Sequence, residues 1–371
     1  MILYLIHKLA PSLDSRYGKA IQKLMVQLSD TEMLPLPRWK KCVAETSDFF
    51  QPAIGAMFAR KMFSEEKHQL AEEIVAEIKL ALKTRIDELE WIDDRTRRDF
   101  KRKVSDIKVK LGYPEDIMNS DQIDQEYADY NISEDEFFQN VVNSLKASRT
   151  QHFQLGMRDP SLQSKWKVGP ESVTAYYSLQ HHEIVVPAGL FQLPFFHTDA
   201  PRALNFGGIG VIMAHEILHA FYEYVDTGNM CHDCETMPVR EKIECMITQY
   251  NQYTLQGVAV NGSLTLQENM ADCGGLEIAF KAYENWLKKD RVETVLPQSS
   301  LTQHQLFFTS YAQVMCGSQN NITLPEFLMK SPHSPARYRV IGPLSNSKGF
   351  SHHFYCLEES MMNPLKKCHI W

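Results

Sequence analysis

The sequence predicts a mainly helical protein with one small β-sheet, organised as two domains. Apolar residues recur at helical spacing through most of the first 160 residues, and one stretch, 173–186, is rich in β-branched and aromatic residues. The length of 371 residues exceeds the size at which one hydrophobic core keeps growing. Hydrophobic residues make up 44% and charged residues 23%, which excludes disordered and collagen-like classes.

Charge and apolar runs exclude further classes. A net charge of −7 provides no basic excess, so no nucleic-acid partner is expected. No run approaches the roughly 18 apolar residues of a membrane-spanning helix. The apolar stretch at residues 1–6 is interrupted at Lys8 and is too short for the core of a signal peptide. The chain as given is therefore expected to carry no targeting signal.

Three helices stand out in the first half. A long helix is predicted to open at Ser64 and to end near Trp91, because apolar residues recur every three or four positions between them. A second, strongly charged helix is predicted over residues 93–111, ended by a glycine and a proline. Ser133 and Glu136 form a capping-box pattern that predicts the start of a third helix. This half carries no cluster of residues typical of a catalytic or metal-binding site.

The pattern changes after Asp159-Pro160. Two short strands are predicted in Val173–Val186, separated by a polar turn at 180–182. Helical periodicity then predicts four helices, over residues 203–224, 239–255, 265–287 and 301–315. We therefore expect a helical domain over residues 1–160 and a second domain over residues 161–371.

The eight cysteines cluster towards the C-terminus, and three Asn-x-Ser/Thr triplets accompany them. Both features favour a secretory, oxidising compartment, in which disulfides form and glycans are attached. In a cytosolic protein the same thiols would be buried core residues or a metal site, and that interpretation stays open on the cysteines alone.

One helix carries the pattern His-Glu-x-x-His, at His215, Glu216 and His219. Side chains at i and i+4 share a helix face, so both imidazoles can converge on one metal ion. The carboxylate of Glu216 can then accept a proton from a water held by the metal. The alternative is a pair of partly buried core histidines.

A zinc site needs a third ligand. The extended motif H-E-x-x-H-x-x-G-x-x-H is absent, because Tyr222 and Val225 occupy the required positions. Glu268 and Asp272 lie at i and i+4 on a later helix, where one carboxylate can ligate the metal and the other can orient a ligand imidazole. Thr265 to Glu268 also reads as a capping box, so Glu268 could instead close the start of that helix.

Together these motifs resemble the neprilysin and endothelin-converting-enzyme family of zinc endopeptidases. The resemblance is carried by H-E-x-x-H at 215–219, E-N-x-A-D-x-G-G at 268–275 and C-x-x-W at 368–371, and it extends over nearly the whole chain. It implies a partial helical domain followed by a thermolysin-like zinc-peptidase catalytic domain.

The resemblance implies a site with one Zn²⁺ per chain. His215, His219 and Glu268 would hold the metal, Asp272 would orient His215, and Glu216 would act as general base.

Further residues are implied to meet the substrate. His333 would help to stabilise the oxyanion, and Arg339 would bind a substrate carbonyl. The strand at 173–177 would offer its edge to an extended peptide, with the backbone of Ala175 as a partner. The family usually has asparagine where this chain has Thr174, so weaker binding is expected there. Candidates for an apolar side-chain pocket, or equally for plain core, are Leu190, Phe195, Val211, Ile212 and Met315.

The resemblance also implies a cellular location, binding partners and disulfide pairs. Family members are cell-surface ectodomains with one N-terminal membrane anchor, so peptide substrates and a chain truncated at its N-terminus are expected. A disulfide-linked membrane partner would bind through a region outside this chain. Cys245 would pair with Cys368, whereas Cys231 and Cys234 could pair with each other or bind metal. The competing function is a weakly active or inactive binding or scaffold member, against which the intact Glu216 argues.

Overall fold

The computed structural model describes residues 2–29, 37–157, 166–226, 237–289, 291, 293, 295–317 and 324–371. Within these ranges the α-helices are α1 Ile2–Leu9, α2 Ser15–Ser29, α3 Arg38–Met62, α4 Glu65–Asp87, α5 Asp94–Asp106, α6 Ser120–Glu126, α7 Phe137–Met157, α8 Arg202–Asn205, α9 Val211–Asp226, α10 Met237–Asn251, α11 Leu266–Leu287, α12 Gln303–Val314, α13 Leu324–Lys330, α14 Ala336–Asn346 and α15 Lys348–His353. The strands are β1 Lys108–Gly112, β2 Tyr176–Ser178, β3 Glu183–Pro187, β4 Thr254–Leu255 and β5 Val258–Ala259. A mainly helical fold with little sheet is confirmed.

The chain divides into two compact units. The first comprises Met1–Arg60 and Tyr113–Pro170, and the second comprises Lys61–Gly112 and Glu171–Trp371. The sequence-predicted domain boundary at residue 160 lies outside the described residues and stays a prediction.

The first unit is built from helices. Its helix α3 bends at Phe50, whose backbone leaves helical geometry with φ −120° and ψ 31°. The cause is Pro52, which lacks a backbone N–H and crowds the preceding turn. The ring of Phe50 packs on Tyr127 and Tyr130 at centroid distances of 5.1 and 5.6 Å.

The second unit is organised around α11, which packs against α9 on one side and α4 on another. Most of the α11 side chains are buried, as expected for a helix at the centre of a core. Helix α4 begins as the sequence predicts, with the Ser64 hydroxyl accepting a hydrogen bond from the Lys67 N–H at 3.3 Å. Ile74, Ile78 and Leu82 on its apolar face are fully buried, whereas Leu80 is 49% exposed.

A three-stranded sheet in the order β1-β3-β2 lies in the same unit. The two strands predicted in 173–186 are confirmed as β2 and β3, which pair antiparallel. The predicted helix over 93–111 is wrong at its end: α5 stops at Asp106, and Lys108–Gly112 forms β1, which pairs parallel with β3. Lys108 and Lys110 alternate with Val109 and Leu111, and this alternation is compatible with a strand when β3 supplies the hydrogen-bond partners.

The predicted capping box at Ser133 is also wrong. Helix α7 begins at Phe137, and the Ser133 N–H is instead bound by the Asn140 side chain at 2.9 Å. The helix predicted over 203–224 is confirmed, with a π-helical segment at Phe206–Gly210 between α8 and α9. Residues Arg202–Phe221 are long and apolar enough to cross a membrane, but 78% of that window is buried inside the fold, which identifies a core helix.

Candidate metal centre

Three side chains from two helices meet at one point. Helix α9 places His215 and His219 one turn apart, and the first turn of α11 brings Glu268 to them. The two imidazole Nε2 atoms are 3.0 Å apart, and Glu268 Oε2 lies 3.1 Å from that of His215 and 3.6 Å from that of His219. Among the described residues these three form the group of His, Cys, Asp and Glu side chains that could hold a metal ion.

A glycine allows the two helices to approach this closely. A Cβ on Gly275 would lie 2.9 Å from the backbone N of His215 and 3.2 Å from the carbonyl O of Val211. Backbone atoms cannot rotate away, so only glycine fits between α11 and α9 at this point. The close approach fixes the distance from the paired histidines to Glu268.

The charges around Glu268 fit a cation. Burial alone would raise the pKa of Glu268, but hydrogen bonds with His215, His219 and His333 lower it far below its usual range. Burial alone would lower the pKa of His215, but hydrogen bonds with Asp272 and Glu268 raise it to about 10. The site therefore favours a positive charge beside Glu268, which a divalent cation would supply.

The geometry fits as well. Zinc bonds to N and O of about 2.0–2.2 Å at tetrahedral angles separate two ligand atoms by roughly 3.3–3.6 Å. The three separations here are 3.0, 3.1 and 3.6 Å, so one pair lies in this range and two pairs lie slightly below it. Two histidines and one glutamate form a donor set that catalytic zinc sites use, with a fourth position left for water or substrate.

Asp272 holds His215 from behind. Its Oδ1 lies 2.8 Å from Nδ1 of His215, which directs the other ring nitrogen towards Glu268. Asp272 is 1% exposed, and the guanidinium of Arg339 binds it through Nε and Nη2 at 2.8 and 2.7 Å. Burial raises the pKa of Asp272, but Arg339 and His215 outweigh this effect and hold the pKa at about 2.

Arg339, which the sequence predicted to bind a substrate carbonyl, is therefore also engaged in an ion pair inside the protein. Two of its N–H groups are engaged by Asp272, so the remaining guanidinium N–H groups are those that could reach a peptide. Sequence reasoning missed this ion pair. The two residues are 67 positions apart on separate helices, and no local pattern links them.

Glu268 does not serve as the capping residue of α11. Thr265, the residue before the helix, makes no side-chain capping bond with the first turn, and its hydroxyl donates to the Asn261 carbonyl at 3.0 Å. The capping-box alternative is thus excluded by geometry.

The histidines lie at the base of a cleft of about 400 Å³. Glu216 is half-buried in its wall, and His333 lies opposite with Nε2 3.1 Å from Glu268 Oε2. The lining residues are Ala175, Tyr176, Tyr177, Leu179, His215, Glu216, His219, Gln267, Glu268 and His333.

Strand β2 forms the edge of the sheet beside this cleft. Ala175 precedes the strand and lines the cleft, whereas Thr174 is exposed and lies outside the lining. Of the apolar-pocket candidates, Leu190 and Val211 are 2% and 1% exposed and belong to the core.

The predicted bond between Cys245 and Cys368 is present. Cys42, Cys273, Cys316 and Cys356 are free thiols. Cys231 and Cys234, together with the side chain of Tyr222, lie outside the described part of the chain.

A helix-borne His-Glu-x-x-His pair, completed by a glutamate from a second helix at the base of a cleft, is the arrangement of a zinc-dependent peptidase. Family comparisons agree with this class. Models of peptidase family M13 match residues 174–370 and residues 1–114, and the chain belongs to this family.

Human endothelin-converting enzyme 1 is 42% identical over 379 residues, covering 100% of this chain and 49% of the relative. The human Kell blood group glycoprotein is 39% identical over 376 residues, covering 100% of the chain and 50% of the relative. The crystal structure of the Mycobacterium tuberculosis zinc metalloprotease Zmp1 in complex with an inhibitor aligns with a TM-score of 0.85 at 27% identity, covering 99% of this chain and 56% of that one. The chain thus spans about half the length of these relatives.

Proposed function

We propose that the protein is a zinc metalloendopeptidase that hydrolyses small extracellular peptides. The observation that carries this proposal is the convergence of His215, His219 and Glu268 at the base of a cleft whose wall contains Glu216. The family membership and the similarity to endothelin-converting enzyme 1 support the same reaction class.

One zinc ion per chain would be held by His215, His219 and Glu268. Bound there, zinc would polarise the scissile carbonyl and lower the pKa of a water molecule. Asp272 keeps the Nδ1 proton on His215 and so presents Nε2 to the metal.

The remaining groups handle protons and charge. Glu216 accepts a proton from the attacking water and delivers it to the leaving amine. His333 donates a hydrogen bond to the carbonyl oxygen as negative charge develops on it, and Arg339 binds a neighbouring substrate carbonyl with the N–H groups that Asp272 leaves available.

The peptide would bind as an extended strand along β2. β2 lies at one edge of the three-stranded sheet, and Ala175, which directly precedes β2, lies in the cleft, where its backbone would pair with the peptide. Leu179, 54% exposed, and the rings of Tyr176 and Tyr177 give the wall an apolar character that suits apolar substrate side chains. Cleavage on the amino side of apolar residues follows from the family resemblance. Thr174 would hold the peptide less firmly than the asparagine usual in the family.

An oxidising compartment is supported by the bond between Cys245 and Cys368. We place the protein at the cell surface, as the ectodomain of a single-pass membrane protein, by analogy with the family. A disulfide-linked membrane partner, joined through a region outside this chain, belongs to the same proposal.

The proposal is tested with the 371-residue chain and its Glu216→Gln variant. Both should contain one zinc per chain by mass spectrometry, because the substitution leaves all three metal ligands in place. Hydrolysis of a fluorogenic peptide should fall by about 10²–10⁴-fold, the contribution of a general base. If zinc-loaded wild type and variant are equally inactive on every peptide of a diverse library, the inactive scaffold function replaces the peptidase.

A further inference from the structure

The loop Ser331–Pro335 is joined to helix α11 by a buried hydrogen bond. Ser334 Oγ donates to Asn269 Oδ1 at 2.7 Å, and these residues are 1% and 0% exposed. The other end of the Asn269 amide donates to Thr265 Oγ1 at 2.8 Å, on the same face of the helix. Asn269 therefore has a fixed orientation, with its oxygen directed at the loop.

The same loop carries His333, whose side chain is 43% exposed. Surrounding packing alone does not hold a half-exposed imidazole in place. The backbone N–H of His333 donates to Ser331 Oγ at 3.1 Å, and that hydroxyl donates back to the His333 carbonyl at 3.1 Å, so these two bonds join Ser331 to the His333 backbone. These bonds lie within the loop and do not connect it to α11. The hydrogen bond from Ser334 to Asn269 makes that connection.

We propose that Ser334 and Asn269 are positioning residues, whose buried hydrogen bond holds the His333 imidazole against Glu268. Asn269 follows Glu268 directly on α11, so the bond ties the loop to the turn of helix that carries this carboxylate. Neither residue lines the cleft, so neither meets the substrate. The inference rests on the proposed function insofar as His333 stabilises the developing negative charge.

Removing the hydroxyl with Ser334→Ala leaves a buried amide oxygen without its donor, which favours loop positions in which His333 lies elsewhere. A small displacement of a group that acts on the transition state lowers kcat more than it raises KM. We expect kcat to fall about 10-fold with KM changed less than about 3-fold, and the zinc content to stay at one per chain.

The decisive experiment is a double-mutant cycle of Ser334→Ala and His333→Ala. If Ser334 acts through His333, Ser334→Ala should lower kcat in the wild-type background and leave it unchanged in the His333→Ala background. Equal loss in both backgrounds would mean a purely structural role and would overturn the inference. Should His333→Ala fall below detection, the affinity of a phosphonate peptide, whose tetrahedral oxygens imitate the transition state, replaces kcat in the same cycle.

A second measurement does not depend on activity. Hydrogen exchange of the amides in 331–334 should be faster in Ser334→Ala than in wild type, with α9 unaffected. The matched control is Ser310→Ala, which removes another buried serine hydroxyl, bonded to the Leu204 carbonyl at 2.8 Å, and should leave exchange in the loop unchanged. Unchanged loop exchange in Ser334→Ala would contradict the inference. An inactive wild type would refute the proposed function, and exchange would still decide the role of Ser334.

Discussion

A buried carboxylate is stabilised in its charged form by two partners. Asp272 Oδ1 lies 2.8 Å from His215 Nδ1 and also accepts a hydrogen bond from Arg339 Nη2, while Oδ2 accepts one from Arg339 Nε. Because the carboxylate is buried, its charge would be costly without both partners. With Nδ1 beside Asp272, His215 directs Nε2 towards Glu268, and we expect Asp272 to influence zinc binding without contacting the metal.

Asp272→Asn should therefore weaken zinc binding. An amide oxygen in place of Oδ1 can still accept from His215 Nδ1, but the amide NH₂ then faces the Nε–H of Arg339, and the Arg339 charge is left without its carboxylate. We expect zinc affinity to fall about 10–100-fold, measured by competition with a chelator of known affinity. Asp199→Asn, which alters a carboxylate that is 86% exposed, is the control and should leave the affinity unchanged. Equal affinities of Asp272→Asn and wild type would show that Asp272 does not orient the ligand.

The sequence indicated that His215, His219 and Glu268 could meet, and the structure brings them together, but it gave no sign of the contacts behind them. His215 and His219 follow from spacing on one helix, because i and i+4 positions always share a face. The role of Glu268 could not be decided locally, since the same four residues also match a capping box. Arg339 was expected to meet substrate, and its bond to Asp272 depends on how two distant helices pack.

Strand β1 shows the limit of local reasoning at the level of elements. Lysine and leucine favour helix, and residues 108–111 come one residue after α5, so local preference predicts that the charged helix continues through them. The parallel partner of β1 lies in 183–187, too far along the chain for any local pattern to reveal it. Tertiary pairing overrides the local preference here, whereas the start of α4 and both ends of α11 agree with the prediction to within one residue; α4 ends at Asp87, before the predicted Trp91.

The contact between α9 and α11 makes Gly275→Ala an informative change. The added methyl would meet the backbone of His215 at 2.9 Å and must push the helices apart. We expect a loss of about 1–3 kcal/mol in the free energy of unfolding, seen in urea titration, together with weaker zinc binding because Glu268 moves from the histidines. Gly18→Ala on α2, with no atom within 4 Å of the new Cβ, should be neutral or slightly stabilising. Weaker zinc binding without lost stability, or the reverse, would contradict this coupling.

The C-terminal residues pack against several helices of the second unit. Trp371 packs on Phe221 of α9 and Phe100 of α5, with ring centroids 5.1 and 6.2 Å away. Its ring also contacts α11, where a Cβ on Gly274 would lie 2.7 Å from Trp371 Cδ1. The terminal segment thus touches both helices that carry metal-site residues, and Cys368 fastens this segment to Cys245 on α10.

The disulfide should therefore support both stability and the metal site. Cys245 and Cys368 are 123 positions apart, and cross-linking so long a loop restricts the unfolded chain strongly. Replacing both cysteines by serine should lower the free energy of unfolding by about 2–5 kcal/mol, measured by urea unfolding of the zinc-loaded protein without reductant. It should also speed zinc loss to a chelator, because Trp371 is less firmly held against Phe221. Cys356→Ser, which removes a free thiol, should change neither quantity. A double-serine variant as stable as wild type, with the same rate of zinc loss, would show that the terminal segment is held by packing alone.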